Sequence, residues 1–306
     1  MNKVLISVVG PTAIGKTKLA ILLANHFKTE IISADSRQFF KEMAIGTAVP
    51  SDEELAQAPH HFIQHKSIQE SYSVGDFEKE ALIKLKDLFK KKDIVILVGG
   101  SGLYVDAVTK GLDEFPKIAA GIRAGLNHDL ETFGLPHLQE QLKQLDPAYY
   151  RKVDLNNPHR IIRALEVCRS SGKAYSSFLN APRKKRDFKV LSIGIDAARN
   201  LIYERINARV AIMMKNGLLD EVKALEPYSG LNALQTVGYK ELFLYLNKTW
   251  DLEFAVSEIK KNTRRFAKRQ LTWFKKTEHT KWVSYDYDEE VIFNLIRTAL
   301  SNLQHE

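Results

Sequence analysis

The chain has 306 residues, 44% hydrophobic and 27% charged. This ordinary globular composition excludes a disordered, collagenous or coiled-coil chain and fits two domains, or one with a large insertion. Lys plus Arg number 45 against 37 Asp plus Glu, a net charge of +8 that leans toward a polyanionic partner but is also compatible with simple solubility. The single cysteine, Cys168, excludes an internal disulfide framework and a Cys-rich zinc module, and points to a reducing compartment. No apolar run reaches the roughly 18 residues of a membrane span, so no membrane partner is expected. The opening MNKVLISVVGPT reads as a first strand and not as a leader.

In chain order, Val4–Val9 is a short continuous apolar run, as in a strand buried on both faces. Thr17–Phe27 carries Leu19, Leu22, Leu23 and Phe27 at helical spacing, and Glu30–Ser33 is a second short strand. Asp76–Phe89 is an amphipathic helix with Phe77, Ala81, Leu85 and Leu88 on one stripe. Ile94–Val98 is a third buried strand, ended by Gly99 and Gly100. This alternation predicts an α/β fold with a parallel sheet.

From about Pro116 to Pro182 no strong strand appears, whereas Pro136–Leu145 and Pro158–Arg169 are helical, so an all-α insertion is expected. Strand character returns at Phe188–Ile195, followed by a helix over Ala198–Asn216 with Gly217 as its stop. A strongly basic helix over Leu252–Lys276 and a possible edge strand at Lys281–Ser284 come last. The expected division is a core over 1–115, a helical insertion over 116–187 and the resumed core over 188–306, with a cleft between core and insertion as the natural place for a site.

Residues Gly10, Pro11, Thr12, Ala13, Ile14, Gly15, Lys16 and Thr17 read GPTAIGKT and satisfy G-x-x-x-x-G-K-[ST]. They lie between an apolar strand and an amphipathic helix, the context this phosphate-binding loop requires. Its glycines let backbone N–H groups wrap phosphate oxygens, Lys16 adds a charge, and the Thr17 hydroxyl can ligate Mg²⁺. Chance matches are expected about 0.01 times per chain of this length. The motif does not say whether a nucleotide or an alkyl diphosphate is held. No acid follows Ile94–Val98, where an NTPase would place a metal-holding Asp, and Asn247-Lys248-Thr249-Trp250 fails the guanine motif at its last position.

The segments GPTAIGKT, ISADSRQFF-KEMAIGTAVP, APHHF, YSVGDF and LVGGSGLY occur in this order, followed by NNPHRIIRALEV, TVGYKE and KRQLTWFK. Over nearly the whole chain this series resembles the tRNA dimethylallyltransferases, also called tRNA isopentenyltransferases. The resemblance implies a P-loop NTPase-like α/β core with an inserted all-α domain. It also implies a cytoplasmic enzyme, expected to act as a monomer with Mg²⁺. Its implied reaction moves a dimethylallyl group from dimethylallyl diphosphate to N6 of the adenosine just 3′ of the anticodon in a tRNA anticodon stem-loop.

The resemblance implies roles for particular residues. Asp35 matches the general base; from spacing alone it reads rather as an Asp capping a turn after a strand. Lys16, Thr17 and Arg209 match groups around the diphosphate, and Arg209 is otherwise a solvated helix arginine. Ser101 stands where Thr is common. Asp35, Ser36, Arg37 and Gln38 would hold the everted base and its neighbours. Further tRNA contacts are implied at Ser101, Arg123, His159, Arg160, Ile161, Ile162 and Arg163, and at Gln235, Thr236, Val237, Gly238, Tyr239 and Lys240. The last set is Lys268, Arg269, Gln270, Leu271, Thr272, Trp273, Phe274 and Lys275.

On the basic helix, Lys261, Arg264, Lys268 and Lys275 fall on roughly one face, which reads as solvated from charge alone and as phosphate-contacting beside the resemblance. Phe266, Trp273 and Phe274 are available for packing or stacking. Arg183-Lys184-Lys185-Arg186 suits solvation or RNA contact equally. His60, His61 and His65 have no acid or Cys at ligand spacing and read as structural. Phe40 and Val49 depart from the family's usual Tyr and Lys, each losing a polar handle. Two rival readings remain, a P-loop small-molecule or nucleoside kinase and a non-catalytic RNA-binding protein.

Overall fold

The computed structural model describes residues 3–179, 185–277 and 279–305. First come β1 (Val4–Val9), α1 (Lys16–His26), β2 (Ile31–Ser33), α2 (Asp52–Gln57), β3 (His60–His61), α3 (Val74–Leu88), β4 (Ile94–Gly99) and α4 (Gly102–Lys110). Then follow α5 (Ile122–Leu145), α6 (Pro147–Tyr150) and α7 (Pro158–Ser171). Last are β5 (Lys189–Asp196), α8 (Arg199–Lys215), α9 (Leu218–Ala224), α10 (Tyr239–Leu246), α11 (Leu252–Phe274), β6 (Lys281–Ser284) and α12 (Glu289–His305). The chain divides into two compact units, Met1–Lys110 with Arg186–Glu306, and Gly111–Lys185. The second unit thus begins five residues before the expected 116 and ends two before 187.

The first unit is an α/β core whose six parallel strands run in the order β3-β2-β4-β1-β5-β6. Every residue of β1 is buried, because helices cover both faces. Leu5 and Val9 enter one apolar cluster with Phe77, Leu85 and Ile259; Val4, Ile6 and Val8 enter the other with Leu19, Ile202 and Ile296. Ile296 belongs to α12, whose apolar face Ile292 and Ile296 buries and which the sequence reading did not assign. Helix α3 starts at Val74, before the expected Asp76, because Ser73 and Asp76 form a reciprocal capping box ahead of it. β6 pairs only with β5 and is the expected edge strand.

Among its described residues the second unit has helices and no strand. Asn157 caps α7, Pro158 occupies its first turn, and Gly172 closes it at φ 68. Ile161, Ile162, Ala164 and Leu165 form its buried stripe against Leu126, Leu138 and Leu142 of α5. Helix α5 bends at Gly134 (φ 76), two residues before Pro136, which is why only its C-terminal half was legible. Cys168 is buried here as a small packing residue.

Arg183 and Lys184 lie outside the described residues. Arg186, in the first unit, donates to Glu78 (2.5 Å) and to the carbonyls of Ala107 and Val108, and so bolts α3 to α4. Among the described residues no helix is long and apolar enough to cross a membrane.

Candidate active site

The register aligns Val9 with Gly99 and Ser33 with Val98, so the chain leaves β1, β2 and β4 at one level. Loops at the C-terminal ends of parallel strands form the crevice where such sheets bind ligands. The loop after β1 turns at Gly10 (φ +146), where a Cβ would stand 2.7 Å from the Ile195 carbonyl oxygen. Gly15 (φ +106) then opens α1 with no side-chain cap, leaving the first N–H groups of the helix to an anion. Lys16 Nζ donates to the Pro11 carbonyl at 2.7 Å. Burial pulls the Lys16 ammonium down to about 8; Asp35 opposes this shift and Arg209 reinforces it.

Helix α8 braces this loop. Arg205 Nε donates to Ala13 O (2.7 Å), and Arg209 Nη1 reaches Thr12 Oγ1 (3.3 Å). Gln270 of α11 ties it from the other side. Its Oε1 accepts the Thr12 N–H (2.8 Å), while its Nε2 donates to the Gly100 carbonyl (2.9 Å). Gln270→Leu strands the buried Gly100 carbonyl, which costs about 1–3 kcal/mol, and the partly buried Thr12 N–H, which costs less. The expected result is a lower melting temperature with a raised KM for the phosphate-bearing substrate. Unchanged values of both would remove Gln270 from the loop's support.

Asp35 follows β2, and its Oδ1 accepts the Arg37 N–H at 3.1 Å, so it does cap a turn. Its side chain also lines a cavity of about 470 Å³ together with Thr12, Ser36, Gly100, Ser101 and Arg209. Ser101 Oγ lies 3.1 Å from both the amide and the hydroxyl of Ser36, joining the β2 and β4 loops. The remaining walls include Tyr104, Val210, Met213, Leu218, Val237 and Ile259. At the mouth stand Leu103, Phe266 and Trp273, 47%, 38% and 41% exposed. The Trp273 indole lies where a Gly102 Cβ would be (2.4 Å), and its Nε1 donates to Asp106 (3.0 Å). Every lining residue of this cavity belongs to the first unit.

Several residues expected at an RNA surface have other employment. Arg37 donates to the carbonyls of Asn232 and Ala233, and Gln38 to those of Thr47 and Ala48, bracing two loops of the cavity. Tyr239 is fully buried and donates to Glu221 (2.6 Å), which also accepts the N–H groups of Ala44, Ile45 and Gly46. Gln270 and Phe274 are buried, as are Ile161 and Ile162 in α7, so these side chains offer a nucleic acid no surface. Thr236, Val237 and Gly238 line the cavity, and Lys240 is exposed. Gln235 Nε2 donates to Ser229 O, and Thr272 to Lys268 O.

The basic face of α11 is largely paired within the protein. Lys261 meets Glu258 (2.8 Å), Arg264 meets Asn207 (2.8 Å) and Lys275 meets Asp196 (2.7 Å). Lys268 is exposed beside Tyr203 and Leu271, and Arg269 lies over the Phe266 ring.

In the second unit, Arg123 and Arg163 both hold the buried Glu166, and Arg163 also covers the Phe115 ring. His159 and Arg160 are exposed. His60 and His61 form β3, His61 meets Glu30 (2.6 Å), and His65 sits among Phe39, Phe62 and Tyr72. No group of three or more His, Cys, Asp or Glu able to hold a metal occurs among the described residues. Phe40 is core, and Val49 lines a second cavity.

The profile of the IPP transferase family matches residues 38–277. The chain belongs to the IPP transferase family. A tRNA dimethylallyltransferase of Flavobacterium johnsoniae is 60% identical over 308 residues, covering 98% of this chain and 100% of that protein. The crystal structure of the full-length tRNA isopentenylpyrophosphate transferase from Bacillus halodurans is similar with a TM-score of 0.73 and 36% identity, over 100% of both chains. A eukaryotic dimethylallyltransferase solved acting on tRNA gives a TM-score of 0.80 at 26% identity, over 92% of this chain and 74% of that one. The profile begins after GPTAIGKT and Asp35, so the IPP transferase assignment and the geometry of the phosphate loop are separate observations.

Proposed function

We propose that this IPP transferase is a tRNA dimethylallyltransferase. It moves the dimethylallyl group of dimethylallyl diphosphate to N6 of the adenosine immediately 3′ of the anticodon, in tRNAs reading codons that begin with U. The observation that carries this reading is one cavity that joins the phosphate loop, Asp35 and a largely apolar wall. The apolar wall beside the loop suits the isoprenoid tail of such a donor, which carries no polar group. The enzyme acts as a monomer in the cytoplasm.

The C1–O bond of the donor breaks and its electrons leave with diphosphate, while C1 bonds to N6. The N6 proton passes to the Asp35 carboxylate, since adenine's amino lone pair is delocalised and becomes a competent nucleophile only as that proton departs. The N–H groups at the start of α1, with Lys16 and Arg209, stand where negative charge grows on the leaving group. Ser101 and Ser36 hold the loop bearing Asp35 against the end of β4. The Thr17 hydroxyl, in the first turn of α1 beside the phosphate loop, is the protein group that would hold Mg²⁺. When bound it would neutralise charge on the diphosphate. Arg123, His159, Arg160, Lys240, Lys268, Arg269 and Trp273 are the exposed groups we assign to the tRNA.

Nucleoside mass spectrometry of tRNA incubated with the purified protein and dimethylallyl diphosphate tests this reading. Isopentenyladenosine with diphosphate release supports it; ATP consumption without a modified nucleoside supports a kinase, and tRNA binding without modification a passive binder. Lys268→Ala is expected to weaken tRNA binding and reduce its salt slope by about one phosphate contact. An unchanged slope returns Lys268 to plain solvation.

A further inference from the structure

The cavity holding Asp35 has a neighbour. A second cavity, of about 740 Å³, adjoins it and is lined by Ala13, Val49 and Ile212, among others. Three residues line both cavities: Ala48, Arg209 and Met213. They form the border that the two spaces share. Arg209 is the diphosphate end of that border, through its contact with Thr12. Met213 follows Arg209 by four residues on α8 and so stands on the same face, about 6 Å further along the axis.

We propose that Met213, with Ala48 on the same border, sets the length of the prenyl chain the enzyme accepts. The inference rests on the donor reading given above. The donor's diphosphate is fixed at the loop and at Arg209, and its C1 must face Asp35. A chain running along α8 then has one helical turn before it meets the Met213 thioether. That distance suits the four-carbon backbone of a dimethylallyl group. A geranyl chain would need to pass through the place Met213 and Ala48 occupy. Beyond them lies open volume, so the limit is a thin wall and not a filled core. Ala48 keeps its own side thin: its φ of 51 lies in the left-handed region, where a larger side chain is strained. Methionine suits such a wall because it fills irregular space without polar demands.

The test compares wild type and Met213→Ala with tRNA and either dimethylallyl or geranyl diphosphate, reading the modified nucleoside by mass spectrometry. Wild type should transfer the five-carbon group and reject the ten-carbon one. Met213→Ala should raise the geranyl-to-dimethylallyl ratio of kcat/KM by about 10-fold or more, the scale at which apolar pockets discriminate chain length. Ala48→Gly, which the positive φ favours, should move the ratio the same way and carries the test if Met213→Ala does not fold. Wild type modifying tRNA while both variants keep its donor preference would overturn the gauge and leave the function intact. Failure of wild type to transfer even the dimethylallyl group would defeat the function reading, and the gauge with it.

Discussion

Lys16→Ala is expected to lower kcat by about 10²–10³-fold, the usual cost of removing one preorganised group from a site of developing charge. The loss should appear with tRNA affinity unchanged, because Lys16 is turned inward onto the Pro11 carbonyl and lies beneath Gly100. The wild-type enzyme carries a related signature. With the ammonium drawn down to about 8 by burial, the free enzyme loses this charge as pH rises through that value. The kcat/KM for the donor should therefore fall above about pH 8. Bound diphosphate favours the charged form, so the alkaline fall in kcat should lie higher. A flat profile from pH 7 to about 10 would separate Lys16 from the chemistry.

Asp35→Ala should slow transfer by about 10²–10⁴-fold, the range for loss of a positioned base. The variant must be read against its structural duty, since Asp35 also accepts the Arg37 N–H. Asp35→Asn keeps an acceptor for that turn while removing the base. The two variants should be about equally slow if proton transfer is the cause. Recovery of rate by Asp35→Asn would instead assign the effect to the turn.

The sheet and its phosphate loop were legible because their signals are local. Val4–Val9 is apolar but for Ser7, and the glycines and Lys16 follow at fixed spacing. The α7 helix was legible for the same reason, bracketed by Asn157-Pro158 and Gly172. What escaped depends on residues far apart in sequence. Gln270 sits in a run of basic and aromatic residues and looks like surface; its partners Thr12 and Gly100 are 258 and 170 positions away. The basic face of α11 was read correctly as spacing, yet Asp196 and Asn207 take two of its cations from other elements. Glu258, three residues before Lys261, was the one such partner visible locally. Tyr239 shows the reverse limit: a motif position implied to touch tRNA is occupied by a ring buried to anchor Glu221.

The place of the helical unit in the chain has a consequence for synthesis. β1 lies between β4 and β5, so residues 4–9 gain their second neighbour only when residues 189–196 have been made. Ribosomal output of the intervening 111–185 unit takes roughly 4–15 s at about 5–20 residues per second. Throughout that interval the nascent amino-terminal segment carries a bare, largely apolar strand edge, the kind of template on which chains aggregate. Fragments ending before residue 189 keep that edge permanently, and chaperone demand should be greatest while the helical unit is emerging.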